Sequence, residues 1–124
     1  MSTILIVEDN EKNMKLARDV LQAKGYATLE AVTGEEGVRL AKEKQPNLVL
    51  MDIQLPGING IEALRQLRAD AALGHIPVVA FTASVTPTDR SQIQAAGFDG
   101  FLSKPINLKE FLALVESLVQ RGRP

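Results

Sequence analysis

Five short apolar runs alternate along the chain with longer segments in which apolar residues recur every three or four positions. The runs lie at about 3 to 8, 27 to 31, 47 to 52, 77 to 82 and 99 to 102, and they predict five strands. The segments between them predict helices, with a last helix from about 107 to 120. Helix starts carry their own signals. Thr33, Asn59, Thr86 and Asn107 can each cap exposed backbone N–H groups, and Glu36, Glu62, Asp89 and Glu110 follow three positions later as in a capping box. Pro87 occupies a first-turn position, where its missing N–H costs nothing. Gly25 and Gly97 follow the first and fourth helical segments, where a left-handed residue commonly closes a helix. In the last helix Leu108, Phe111, Leu112, Val115, Leu118 and Val119 form a stripe to bury against a sheet, with Leu114 off it. The tail Gln120-Arg121-Gly122-Arg123-Pro124 is expected to fray.

The strand segments are apolar throughout rather than alternating, which predicts a parallel sheet covered on both faces. Right-handed crossovers leave few ways to arrange five such units. The commonest is the flavodoxin-like (βα)5 sandwich of the α/β class, with a doubly wound sheet of strand order 2-1-3-4-5. Strands one and three are then neighbours, and ligands bind beyond the carboxyl ends of the strands at that point.

Composition adds mainly exclusions. A chain of 124 residues with 45% hydrophobic and 23% charged residues predicts one ordinary globular domain over 1–124, its core at about 3 to 120. The formal net charge of −1 gives no reason to expect nucleic acid or anionic lipid as a partner. Cysteine is absent, which removes disulfides, thiolate metal sites and cysteine nucleophiles. No apolar span approaches ~20 residues, and no basic segment precedes the first apolar run, so a cytoplasmic protein with no membrane partner is expected.

The candidate chemistry lies at the strand ends. Glu8 and Asp9 close Ile4-Leu5-Ile6-Val7, and Asp52 closes Leu48-Val49-Leu50-Met51. Carboxylates gathered at one edge repel one another, an arrangement that a hard divalent cation relieves. Thr82 and Lys104, at two further strand ends, add a hydroxyl and an ammonium, completing the groups needed to stabilise a phosphoryl group on a carboxylate. Singly each has an ordinary explanation: acids at strand exits cap helices, threonine packs in strands, and lysine before proline is usually solvated. His75 is the sole histidine, so no nitrogen-rich metal site can form. Arg39, Lys42 and Lys44 read as the solvated face of the second helix.

Taken in order and spacing, Glu8-Asp9, Asp52, Thr82-Ala83 and Lys104-Pro105 resemble the receiver domain of two-component response regulators. The resemblance covers essentially the whole chain. Val7-Glu8-Asp9-Asn10 with Asn13, Leu50-Met51-Asp52-Ile53-Gln54-Leu55-Pro56 and His75-Ile76-Pro77-Val78-Val79-Ala80 are similar to single-domain regulators of the DivK type. The resemblance implies that Asp52 accepts a phosphoryl group from the phosphohistidine of a histidine kinase or histidine phosphotransferase. It implies that Glu8, Asp9, Asp52 and the backbone carbonyl of Gln54 bind Mg²⁺, or Mn²⁺ in its place. Thr82 and Lys104 would hold the phosphoryl group, and Phe101 would be the switch aromatic. Ala83 would leave the approach open, the Lys104–Pro105 bond would be cis, and Gln54 and Ser84 would tune hydrolysis. The output would be a downstream protein read through the fourth helix, fifth strand and fifth helix, with the regulator a monomer or weak dimer.

Other functions fit less well. A scaffold or adaptor with the same fold, signalling without phosphorylation, would leave the intact site unused. A haloacid-dehalogenase-type phosphatase needs a second acid two residues after its nucleophile, where this chain has Gln54. Flavin or nucleotide binding would need glycines after the first strand, and that loop is acidic. A DNA-binding output is not expected, because the receiver occupies the whole length.

Overall fold

The computed structural model describes residues 2–83 and 86–123, without the side chain of Asp89. Strands and helices alternate in the expected order. They are β1 (Thr3–Val7), α1 (Glu11–Ala23), β2 (Ala27–Ala31), α2 (Gly34–Lys44), β3 (Leu48–Asp52), α3 (Gly60–Ala69), β4 (Val78–Thr82), α4 (Pro87–Ala96), β5 (Gly100–Ser103) and α5 (Leu108–Arg121). A single 3₁₀ turn, Ala71–Leu73, precedes β4. The five strands are all parallel, in the order β2-β1-β3-β4-β5.

Alternate strand residues face opposite layers, as the pleat requires. Ile4, Ile6, Leu48, Leu50, Val79, Phe81 and Leu102 pack under α1 and α5, against Met14, Ala17, Leu21, Phe111, Val115 and Leu118. Leu5, Val7, Val49, Met51 and Val78 pack under α2 and α3, against Val38, Ala41, Ala63, Leu64 and Leu67. Two dry layers explain why the strands read as continuous apolar runs.

Three of the expected caps form as written, with Thr33, Asn59 and Asn107 accepting from the backbone N–H of Glu36, Glu62 and Glu110. At α4 the Thr86 carbonyl accepts from the Arg90 N–H, and Pro87 is the first helical residue. Asn10, not singled out as a cap from the sequence, starts α1 by accepting from the Asn13 N–H. Gly25 and Gly97 have φ of +91° and +97°, in the left-handed region that the helix ends demand.

Two expectations for α5 are corrected. Leu108 is 49% exposed, because it stands in the first turn, while Ile106 packs against the core ahead of the helix. Leu114 instead joins the packed face. A Cβ on Gly100 would come within 2.9 Å of the Leu114 Cδ2, so the bare backbone of β5 makes room for it. The expectation of a frayed tail is also corrected at Arg123, whose guanidinium donates to Asp99 Oδ1 at 3.0 Å and to the Gly74 carbonyl at 2.7 Å.

Candidate acidic phosphoryl-acceptor site

Parallel strands deliver their last residues to one edge of the sheet. β1 and β3 are neighbours, and so are β3 and β4. The ends of these strands therefore bring Glu8, Asp52 and Thr82 side by side at the switch point of the topology. Glu8 continues β1 by donating its N–H to the Ala31 carbonyl at 2.9 Å. Lys104 continues β5 in the same way, donating to the Thr82 carbonyl at 2.9 Å. Counted by twos from Ile6, Leu50 and Leu102, the residues Glu8, Asp52 and Lys104 share the face covered by α1 and α5.

Glu8, Asp52 and Thr82 are buried, at 1%, 4% and 1% exposure, whereas Asp9 is open to solvent. Each of Glu8, Asp9 and Asp52 offers a carboxylate oxygen, and these oxygens lie within 4.8 Å of one another. Lys104 bridges the two buried acids. Its Nζ is 2.7 and 3.0 Å from the Glu8 oxygens and 3.2 Å from Asp52 Oδ2. Backbone amides complete the cradle, with the Asn10 N–H donating to Glu8 Oε1 at 3.2 Å and the Gln54 N–H to Asp52 Oδ1 at 3.1 Å.

Three carboxylates facing one ammonium leave an excess of negative charge in a partly dry site. Burial, the largest influence, raises the pKa of Glu8; the Lys104 hydrogen bond opposes it and the Asp52 charge adds to it. A divalent cation would relieve that stress. The donors are all oxygen, hard ligands of the kind Mg²⁺ selects, with no sulfur and no imidazole among the described residues of the site. The residues present therefore fit the metal.

The remaining sequence candidates fall in two places. Ala83 is exposed beside Thr82, and the Lys104–Pro105 peptide is cis. Gln54 is also exposed; Ser84 lies outside the described residues. Phe101 is apart from the carboxylates, half-buried on the α4 side, with the Arg90 guanidinium 5.2 Å from its ring centroid. A groove of about 410 Å³ runs there between α4, β5 and α5, lined by Arg90, Phe101, Ser103, Glu110 and Leu114 among others. His75 is exposed and lies in none of these groups.

One residue near the carboxylates was not picked out from the sequence. The Phe81 ring lies beneath Lys104, its centroid 5.0 Å from Nζ. The sequence signal for it is a register argument, since Phe81 pairs with Asp52 across β3 and β4 and so points to the same face.

The chain is similar to known proteins. Residues 4–116 match the response regulator receiver domain family. The polar-differentiation response regulator DivK of Brucella ovis is 44% identical over 115 residues, 93% of this chain and 94% of that protein, and the Brucella anthropi DivK matches equally well. Among solved structures, the receiver domain of a sensor histidine kinase from Pseudomonas aeruginosa, with a magnesium ion coordinated in its active-site cleft, superposes with a TM-score of 0.90. It is 30% identical, and the match covers 96% of this chain and 98% of that one. A response regulator structure from Chloroflexus aurantiacus gives 0.92 at 27% identity, over 97% and 98% of the two chains. Fold, acidic edge and relatives agree, and the chain belongs to the response regulator receiver family of two-component signalling.

Proposed function

We propose that residues 1–124 form one receiver domain that accepts a phosphoryl group on Asp52 from the phosphohistidine of a histidine kinase or histidine phosphotransferase. The observation that carries the reading is the pairing of a buried Asp52 carboxylate with Lys104 at 3.2 Å, inside a cluster with Glu8 and Asp9. It works in the cytoplasm as a monomer or weak dimer and signals rather than turning over a separate substrate. Autodephosphorylation ends the signal.

An Asp52 carboxylate oxygen attacks phosphorus, and the P–N bond to the donor imidazole breaks with its electron pair returning to nitrogen. The product is an acyl phosphate on Asp52. Glu8, Asp9, Asp52 and the Gln54 carbonyl would hold Mg²⁺, or Mn²⁺ in its place, which would supply positive charge to the phosphoryl oxygens. Lys104, whose Nζ is 3.2 Å from Asp52 Oδ2, pairs with a phosphoryl oxygen on that side. The Thr82 hydroxyl, at the next strand end, donates to another. Ala83 presents only a methyl group where the donor's imidazole must approach.

The new charge draws Thr82 and Lys104 toward it and changes the environment of Phe101, so the α4–β5–α5 face is read by a downstream protein. The groove between these elements carries both the apolar surface of Phe101 and Leu114 and the charges of Arg90 and Glu110. Such coupling is typically worth ~1–3 kcal/mol.

Acetyl phosphate with Mg²⁺ should add one phosphoryl mass to the protein, and excess EDTA should prevent it. Asp52→Asn should remain unlabelled. Equal labelling of that variant would refute the assignment, and unchanged cellular signalling by it would favour a phosphorylation-independent adaptor.

A further inference from the structure

The Lys104 ammonium is held by more than its carboxylates. Lysine is a point charge on a flexible stem, and its hydrogen bonds impose little direction. Here the ammonium lies over the ring of a buried residue, Phe81. Phe81 is 1% exposed and packed in the layer that includes Met14, Leu102 and Phe111. The Lys104 side chain is only 12% exposed, so water solvates little of its charge. At 5.0 Å from the ring centroid, the ammonium lies within cation–π range of the electron-rich face.

We propose that Phe81 is a positioning residue of the phosphoryl-acceptor site. Its ring holds the Lys104 ammonium beside Asp52 and thereby keeps that ammonium in competition with a divalent cation for Glu8. The proposal rests on the phosphoacceptor reading of Asp52. Competition follows from the geometry, because Nζ lies 3.0 and 2.7 Å from the two Glu8 oxygens, so a divalent cation that binds a Glu8 oxygen comes close to the ammonium and meets its like charge for as long as it is held there. Weakening the ring's hold therefore has two effects of opposite sign. Mg²⁺ binds more tightly, because its competitor is less firmly placed, and phosphoryl acceptance slows, because the ammonium is less often at Asp52. A merely structural role for Phe81 would loosen the carboxylates and weaken both.

The test uses the full chain, with Mg²⁺ affinity from calorimetry in the absence of any phosphodonor. Phosphorylation by acetyl phosphate at saturating Mg²⁺ is followed by intact mass. Phe81→Leu removes the ring, and replacing the Phe81 ring by its pentafluoro form keeps the shape while reversing the charge of the face. The fluorinated protein carries the test if Phe81→Leu folds poorly. The expected result is Mg²⁺ binding tightened, and labelling slowed, each by about two- to thirty-fold, with Phe81→Tyr close to the parent. Any other pattern in the fluorinated protein overturns the proposal, including both quantities unchanged or both weakened. A parent protein that takes up no phosphoryl group at all would instead remove the phosphoacceptor reading.

Discussion

Lys104 and Glu8 are 96 residues apart in the chain, yet the ammonium of one contacts both carboxylate oxygens of the other, at 2.7 and 3.0 Å. The pair does not make Glu8 comfortable. Burial outweighs the hydrogen bond from Lys104, and the Glu8 pKa stands above its ordinary value of 4.5. The ionised carboxylate therefore costs stability at neutral pH, as functional sites often do.

Glu8→Gln should stabilise the metal-free protein by about 0.5–2 kcal/mol at neutral pH, since Lys104 keeps Asp52 as a partner. The sign with pH follows from the raised pKa. The advantage of the variant is full above the folded-state pKa, shrinks as pH falls through it, and is gone below 4.5, where both forms of the protein are neutral at this position. Added Mg²⁺ should reverse the order, because only the parent retains the third carboxylate. Urea unfolding in EDTA across this range measures it, and a variant less stable than the parent at neutral pH would show that the Lys104 pairing dominates.

Gly60, the first residue of α3, lies directly against the backbone of Asp52. A methyl group there would collide with the Asp52 carbonyl oxygen and reach within 2.9 Å of the Ile53 Cα, neither of which can swing aside as a side chain would. Gly60→Ala should cost about 1–3 kcal/mol and slow phosphoryl acceptance, by displacing the strand end that carries the acceptor. Gly74→Ala is the control. A methyl there meets only the Ala71 carbonyl at an ordinary 3.5 Å, and the residue has right-handed helical backbone, so stability should hold or rise slightly. Equal urea midpoints and labelling rates for the two variants would contradict the Gly60 argument.

Strand ends and topology were legible because they rest on local pattern. The apolar runs located each strand to within a residue or so, and the strand order then gathered Glu8, Asp9 and Asp52, with Thr82 and Lys104 at further strand ends, without any knowledge of side-chain positions. What escaped was set by tertiary contacts. Helical periodicity outlines a stripe but not where the sheet beneath it ends, and so Leu108 was placed inside and Leu114 outside. The hold on Arg123 depends on Asp99 and Gly74, two groups that no spacing rule links to the tail. Phe81 is not singled out by the sequence, because its second role exists only once Lys104 lies over it.

Asp99 organises the far end of the sheet, just before β5. Its carboxylate is 5% exposed and accepts from Arg68 at 2.9 Å, from the Val78 N–H at 2.9 Å and from Arg123 at 3.0 Å. Two guanidinium groups depend on this one acid. Burial, and then the charge of Arg123, push Arg68 below its usual range, with Asp99 opposing them. The Arg68 Nε is buried with no hydrogen-bond partner among the described residues, and besides Asp99 the guanidinium meets the neutral Leu73 carbonyl, 3.3 Å from Nη1. Asp99→Asn keeps the shape but leaves Arg68 facing Arg123 without a counter-charge, and should cost about 2–4 kcal/mol. Arg123→Ala removes a side chain that is 36% exposed, and should cost only about 0.5–1 kcal/mol while freeing the tail. Urea midpoints should separate the two variants, and hydrogen exchange at the Val78 amide should quicken only when the Asp99 carboxylate is lost. Equal costs for both would mean that the tail, rather than the buried acid, carries the stability of this end of the fold.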